Sequence, residues 1–231
     1  MLLIFSYWLG MSLIGSIPIV GAVVGIALVP ILSVSFYNIA RDAERGLPIT
    51  PAHLLSGFRE NRPALLNLGG IYLLMMLAVF GFSWLADGGE LAQFFIAGRR
   101  PEVDSLNGAV IAMLAYLPVV LAFWFAPALV AWQGMNAPQA LFYSFFAALR
   151  NWRAMLLYAL AIVAIIVATT LVMWTLVLVL APTMLQGAAT PPGRGSGPGA
   201  FLMFVLLPVI LAGLAILFAS FYASYRDVFS A

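Results

Sequence analysis

The chain has 231 residues, of which 65% are hydrophobic and only 8% charged, with a mean hydropathy of +1.10. Soluble domains are about 45–50% apolar and about 25% charged, so this composition excludes a water-soluble domain and marks an integral membrane protein. The net charge of +2 arises from 10 Arg, with no Lys, against 8 acidic residues, and these charges are too scattered to make a nucleic-acid footprint.

There is no cysteine, which excludes disulfides, iron–sulfur clusters and thiol chemistry. The one histidine, His53, cannot build a bis-His haem or a His-rich metal site alone. No cofactor and no metal are therefore expected. The apolar stretches are long and unbroken rather than alternating over about 10 residues, which favours helices over an outer-membrane barrel. The N-terminus opens directly into apolar residues without a basic leader, and reads as a retained membrane segment rather than a signal peptide.

A spanning helix needs about 20 mainly apolar residues. In chain order, spans are expected at 2–17, 21–40, 64–86, 108–132, 154–181 and 200–224, giving one all-α transmembrane bundle over 1–231. The first is short and is divided from the second only by SIPIVG, with its Pro18 and Gly21, so the two either both cross or form a re-entrant pair. Gly21 and Gly25, four apart, offer a close-packing face, although a chain with 20 Gly produces such a spacing by chance as well. After span 2 the loop carries Arg41, Arg45, Arg59 and Arg62, and Thr50-Pro51 reads as an N-cap opening an in-plane helix over 51–62. Beyond span 3, ELAQFFIAG (90–98) reads as an interfacial anchor, or else a docking surface. Pro127 falls deep in span 4 and Pro208 within span 6, where each kinks its helix and frees one carbonyl.

A second in-plane helix is expected over 139–152, with Asn136 ahead of Pro138 as its start. Leu141, Phe142, Phe145, Phe146 and Leu149 form its apolar stripe, with Gln139, Ser144, Arg150 and Asn151 largely off it. Arg150 and Arg153 flank the entry to span 5. The segment TMLQGAATPPGRGSGPG (183–199) reads as a flexible connection. Seven Arg fall on one side of a six-span arrangement and three on the other, so both termini are expected in the cytoplasm.

Two kinds of internal similarity stand out. SFYNIARD (35–42) and SFYASYRD (220–227) agree at five of eight positions, each at the cytoplasmic exit of a span. Interfacial Tyr and snorkelling Arg explain this as well as duplication does. Residues 48–66 and 138–156 align at a constant offset, pairing Pro48 with Pro138, Asn61 with Asn151, Ala64 with Ala154 and Leu66 with Leu156. The implied unit is an in-plane helix followed by a transmembrane hairpin.

Residues 123–158, FWFAPALVAWQGMNAPQALFYSFFAALRNWRAMLLY, resemble an uncharacterised group of proteobacterial six-helix integral membrane proteins, most specifically around Trp124, Pro127, Trp132, Ser144, Asn151 and Trp152. A looser match covers 18–75, through the Pro18/Gly21 turn, Arg41, Gly46 and GFRENRP. The resemblance implies a bacterial inner membrane location and supports the architecture, but implies no activity. Members carry an aromatic, basic segment ahead of the first span; here the chain starts inside that span, so either the start is late or that segment is lost.

All eight acidic residues lie at helix ends or in loops, so no titratable relay crosses the expected spans. No Ser lies near a His or a buried carboxylate, so no catalytic residue is assigned and no enzyme is expected. Ser33, Asn67, Ser83, Thr169, Thr170 and Thr175 are expected to bond to neighbouring helices or back to their own. Headgroup or partner contacts are assigned to Arg41, Arg45, Arg59, Arg62, Arg150 and Arg153, and kinking or packing to Gly21, Gly25, Pro127 and Pro208. The expected function is that of an accessory or scaffold protein binding membrane lipids and other membrane proteins. The alternative is a small permease or lipid-handling transporter for a neutral or amphiphilic substrate.

Overall fold

The computed structural model describes residues 2–17, 20–90, 93, 106–188 and 198–229. Its elements are α1 (Leu2–Gly15), α2 (Val20–Glu44), a 3-10 helix (Pro51–Phe58), α3 (Arg62–Asp87), α4 (Leu106–Phe123), α5 (Ala126–Gln133), α6 (Ala137–Arg150), α7 (Trp152–Ala188) and α8 (Pro198–Phe229). Four helical stretches among the described residues are long and apolar enough to cross a membrane: Val20–Glu44, Arg62–Asp87, Gly108–Gln133 and Trp152–Val172. Of the flexible connection expected at 183–199, residues 183–188 instead continue α7 and 198–199 open α8, while 189–197, Pro18 and most of 90–98 lie outside the described residues.

The chain divides into two compact units. One comprises Met1–Phe5 and Asn151–Leu217, and its main element is α7. No residue of the apolar window within Trp152–Val172 is buried. A helix apolar all round its axis fits a lipid solvent. Its Thr175 hydroxyl donates to the Leu171 carbonyl at 2.6 Å, so the polar group is satisfied within the helix.

The larger unit comprises Ser6–Arg150 and Phe218–Ala231. Here α2 packs against the 3-10 helix and α3, α3 pairs with α4, and α6 lies on α4 and α5. The end of α2 is set by Gly46, whose φ of +70° suits only a residue without Cβ. The Leu47 amide reaches the Asp42 carbonyl at 2.9 Å and the Gly46 amide the Ala43 carbonyl at 3.0 Å, the paired closure of a Schellman turn. That turn releases the chain into the 3-10 helix, where a continuous in-plane α-helix over 51–62 was expected. The segment instead winds tightly from Pro51, because Gly57 must come up against α2.

Lipid tails are as apolar as Leu, so helices in a membrane gain little from hiding apolar area and associate through close packing instead. One stripe of α2, spaced four residues apart, provides it. A Cβ added at Gly69 would lie 2.1 Å from the Ala27 carbonyl oxygen, and one at Gly57 would lie 2.1 Å from that of Ile31. Four residues further on, the Ser35 hydroxyl accepts the Gly57 amide at 2.9 Å. Ile31, Val34, Leu65 and Leu68 are buried around these contacts. The other end of the α3–α4 pair is tied by the Ser83 hydroxyl, which donates to the Gly108 carbonyl at 3.3 Å.

Gly69→Ala should therefore push α3 off α2 and cost about 1–3 kcal/mol, whereas its neighbour Gly70 has open space where a Cβ would go. Gly70→Ala should be neutral or slightly stabilising, by up to about 1 kcal/mol. Thermal unfolding of both variants in one detergent checks the pair, and equal behaviour would rule out the close approach.

Candidate functional site

The C-terminal ends of α2, α5 and α8 meet, and a polar network closes over the junction. Its centre is Asn38, 3% exposed near the end of α2. The Asn38 amide nitrogen donates to the Ser56 hydroxyl at 3.1 Å and to Glu60 Oε1 at 3.4 Å. Its oxygen accepts the indole N–H of Trp132, at the end of α5, at 3.0 Å. Asn61 extends the network by donating to the Val130 carbonyl at 3.2 Å. A buried amide without partners costs about 1–3 kcal/mol, so this arrangement fixes the 3-10 helix and α5 against α2.

Trp132 is also where the two copies of the repeated sequence converge. From SFYNIARD, the Arg41 guanidinium lies over the indole at 4.9 Å and the Tyr37 ring lies 6.3 Å away. From SFYASYRD, Tyr222 and Tyr225 approach at 6.1 and 5.0 Å, both edge-on. The Gln133 amide donates to the Tyr225 hydroxyl at 3.1 Å. Glu44, just past the first copy, accepts the Tyr222 hydroxyl at 2.7 Å and pairs with Arg226. The two copies thus clasp one tryptophan and each other.

Arg226, read from sequence as a snorkelling anchor, is spent on a cross-helix ion pair with Glu44. Arg41 divides between Trp132 and Asp42, at 3.6 Å from its Nε. The Asp42 carboxylate also lies 3.3 Å from His53 Nε2, while His53 Nδ1 accepts the Thr50 amide at 3.1 Å. His53 therefore staples the start of the 3-10 helix to the end of α2. Arg62 donates from Nε to the Phe58 carbonyl. Arg45, Arg59 and Arg62 are exposed around this end of the unit. Arg150 is exposed at the end of α6, and Arg153, in the other unit, lies 5.5 Å over Trp152. Among the described residues no group of His, Cys, Asp or Glu is placed to hold a metal.

A second feature is the interruption of the span Gly108–Gln133 at Trp124–Phe125. Pro127, expected as a kink deep in a continuous helix, occupies the first turn of α5, where its missing N–H leaves no gap. The break lies where the Phe125 amide should reach the Leu121 carbonyl. The Ser144 hydroxyl stands between them, accepting from the Phe125 amide at 2.9 Å and donating to the Leu121 carbonyl at 3.0 Å. It substitutes for the missing rung of the ladder.

Within the segment 139–152, the departure from expectation is Ser144, which is buried against the unit. An α-helix is present at Ala137–Arg150, and Asn136 caps it by accepting the Gln139 amide at 2.9 Å. Its buried face is Ala137, Ala140, Ser144 and Ala148; of the expected stripe Phe142, Phe146 and Leu149 point outward with Tyr143, while Leu141 and Phe145 are half-buried, Phe145 beside Val79 and Pro118. Ser144 belongs to the packed face because only small side chains allow α6 close enough to reach the break. Gly21 is also at a close approach, since a Cβ there would overlap the Ile14 carbonyl, whereas a Cβ added at Gly25 would meet Met11 at an ordinary 3.5 Å. The side chain of Pro208 lies outside the described residues.

Sequence reading missed Asn38, Trp132 and Ser144 as centres of these arrangements. A signal existed for the first: Asn38 is the only amide side chain in 21–40.

A protein of Burkholderia thailandensis named as a probable inner membrane protein is 34% identical over 239 aligned positions, covering 98% of this chain and 83% of that one. The chain belongs to that inner membrane protein family. No family model matches it, and no solved structure does. Of the residues carrying the family resemblance, Pro127, Trp132 and Ser144 lie at the helix break and the tryptophan clasp.

Asn38→Leu and Trp132→Phe should each destabilise the protein by about 1–3 kcal/mol, through the partner left unsatisfied. The double variant should lose less than their sum, with a coupling of about 0.5–3 kcal/mol. A double-mutant cycle in detergent unfolding checks this, and strict additivity would remove Asn38 as the centre of the network.

Proposed function

We propose that this inner membrane protein is a non-enzymatic accessory or scaffold subunit, holding anionic lipid at one end of its larger unit and binding other membrane proteins through its spans. The observation that carries the reading is the distribution of side chains on α6. Ala137, Ala140, Ser144 and Ala148 are buried against the unit, Phe142, Tyr143, Phe146 and Leu149 face outward, and Arg150 closes the last turn. An aromatic outer face ended by Arg suits the boundary between acyl chains and headgroups. The exposed Arg45, Arg59 and Arg62 add cations at the end of the unit where α2 finishes, each attracting an anionic surface by about 1 kcal/mol.

The same reading takes the chain as six spans with both termini cytoplasmic, with the 3-10 helix and α6 on the membrane surface. The Arg balance supports that orientation. The absence of native Cys gives a clean test. Ala52→Cys should be shielded from an impermeant thiol reagent in intact cells and Ser196→Cys should react. The opposite pattern would invert the topology.

For lipid binding, the readout is anionic phospholipid retained after purification in mild detergent. Arg45→Gln combined with Arg59→Gln should lower retention several-fold, while Arg226→Gln, whose partner is Glu44, should leave it near wild type. Equal retention in all three proteins would sink the lipid role. Purification without any stoichiometric membrane-protein companion would sink the scaffold role.

A further inference from the structure

The larger unit contains a cavity of about 240 Å³ between α2, α3, α4 and the end of α8. It sits beside two interruptions of helical regularity, Pro30 within α2 and the Trp124–Phe125 break. None of its twelve lining residues is charged, and seven are aromatic. Its lining carries the hydroxyls of Ser33, Tyr37, Tyr72 and Tyr116 and the indole of Trp124, and of these Tyr72 and Tyr116 face each other with their oxygens 3.5 Å apart. A good O–H···O bond spans about 2.5–3.0 Å, so neither hydroxyl is held firmly by the other. The Tyr72 ring is held in place by Phe123, edge-on at 4.8 Å, and Tyr116 is 39% exposed, so the cavity reaches the protein surface. The Ser33 hydroxyl on the opposite wall donates to its own helix, at the Val29 carbonyl, 2.8 Å away.

From this geometry we infer that the cavity binds the carbonyl end of an uncharged amphiphile, entering sideways from the lipid, with Tyr72 and Tyr116 both donating to its one oxygen. A carbonyl oxygen has two lone pairs and no proton to place, so it satisfies both donors at once. Two hydroxyls 3.5 Å apart can each reach a shared oxygen at an ordinary hydrogen-bond length. A carboxylate or ammonium would enter a site with no opposite charge, at a desolvation cost the two hydroxyls do not offset. The volume is below the range of about 300–1,000 Å³ for sites that enclose a drug-sized ligand. Only the polar end and its first few carbons fit inside, and the rest of the chain stays in lipid. This assignment is independent of the scaffold reading, which concerns the Arg-bearing end of the unit.

The test uses the full-length protein in proteoliposomes and two photoreactive probes with the same diazirine-bearing chain, one ending as a methyl ketone and the other as a plain alkane. In the wild type the ketone should label peptides of α3 and α4 about five- to tenfold more than the alkane, the discrimination expected of a pair of donated hydrogen bonds. Tyr72→Phe with Tyr116→Phe should bring that ratio close to one while alkane labelling stays unchanged. Ser33→Leu, which fills the cavity without touching the tyrosines, should reduce labelling by both probes. Equal labelling of the wild type by ketone and alkane would overturn the inference. So would a ketone preference that survives loss of both hydroxyls, or labelling that Ser33→Leu leaves intact.

Discussion

In hydrocarbon an amide or carbonyl that loses its helical partner has no water to turn to, and this constraint governs the larger unit. The span Gly108–Gln133 breaks after Phe123, and a break there is tolerable only if something supplies the lost rung. Ser144 supplies it from a different helix, accepting from Phe125 and donating to Leu121. A hydroxyl suits the role because it can donate and accept together. The consequences reach along the whole of α6. To bring Ser144 to the break, α6 must lie close against α4 and α5, so the residues at the contact itself are small, while Phe145 reaches past them beside Val79 and Pro118. Ala137, Ala140 and Ala148 meet that demand, and the other aromatic residues are left to the outer face.

The same logic operates at the end where α2 finishes, with the polar groups on side chains instead of backbone. Asn38 brings an amide into a buried position and satisfies it from three directions, through Ser56, Glu60 and Trp132. Trp132 in turn gives SFYNIARD and SFYASYRD a common surface. Interface physics alone would place Tyr and Arg at both helix exits, but it does not require the two exits to touch. Here they share one indole, and Glu44 bonds the Tyr and Arg of the second copy. The exposed Glu44–Arg226 pair adds little energy, at most about 1 kcal/mol. Its role is in alignment, fixing which turn of α8 faces α2.

Much of the element plan was legible. Hydropathy located the long helices, Thr50-Pro51 and Asn136 located starts, and Ser33, Ser83 and Thr175 bond to their own or a neighbouring helix as residues of that type in a membrane must. The helix break was not legible, because Pro127 looks the same in a sequence whether it kinks a helix or begins one. The 3-10 winding of Pro51–Phe58 was not legible either. It depends on Gly57 meeting Ile31 of a helix already passed, a contact with no local signature. Asn38 carried a signal, a lone amide in an apolar span, but its partners come from segments as distant as Trp132.

The outward aromatic residues of α6 show how amphipathicity reads differently in a membrane protein. In water the apolar side of a helix faces the core, because burial is the driving force, and the polar side faces solvent. At the edge of a bilayer the solvent is itself partly apolar, so the large hydrophobic residues gain as much from lipid as from protein. What distinguishes the packed face there is size, since close approach rewards Ala, Gly and Ser. On α6 the spacing of Ala137, Ala140, Ser144 and Ala148, three to four apart, marks that face as clearly as any aromatic stripe. On the α2 contact the corresponding mark lies on the facing elements, where Gly69 and Gly57 meet the backbone of Ala27 and Ile31. Small-residue periodicity therefore carries the packing information on α6, and its large apolar side chains mark mainly the face turned away from the protein.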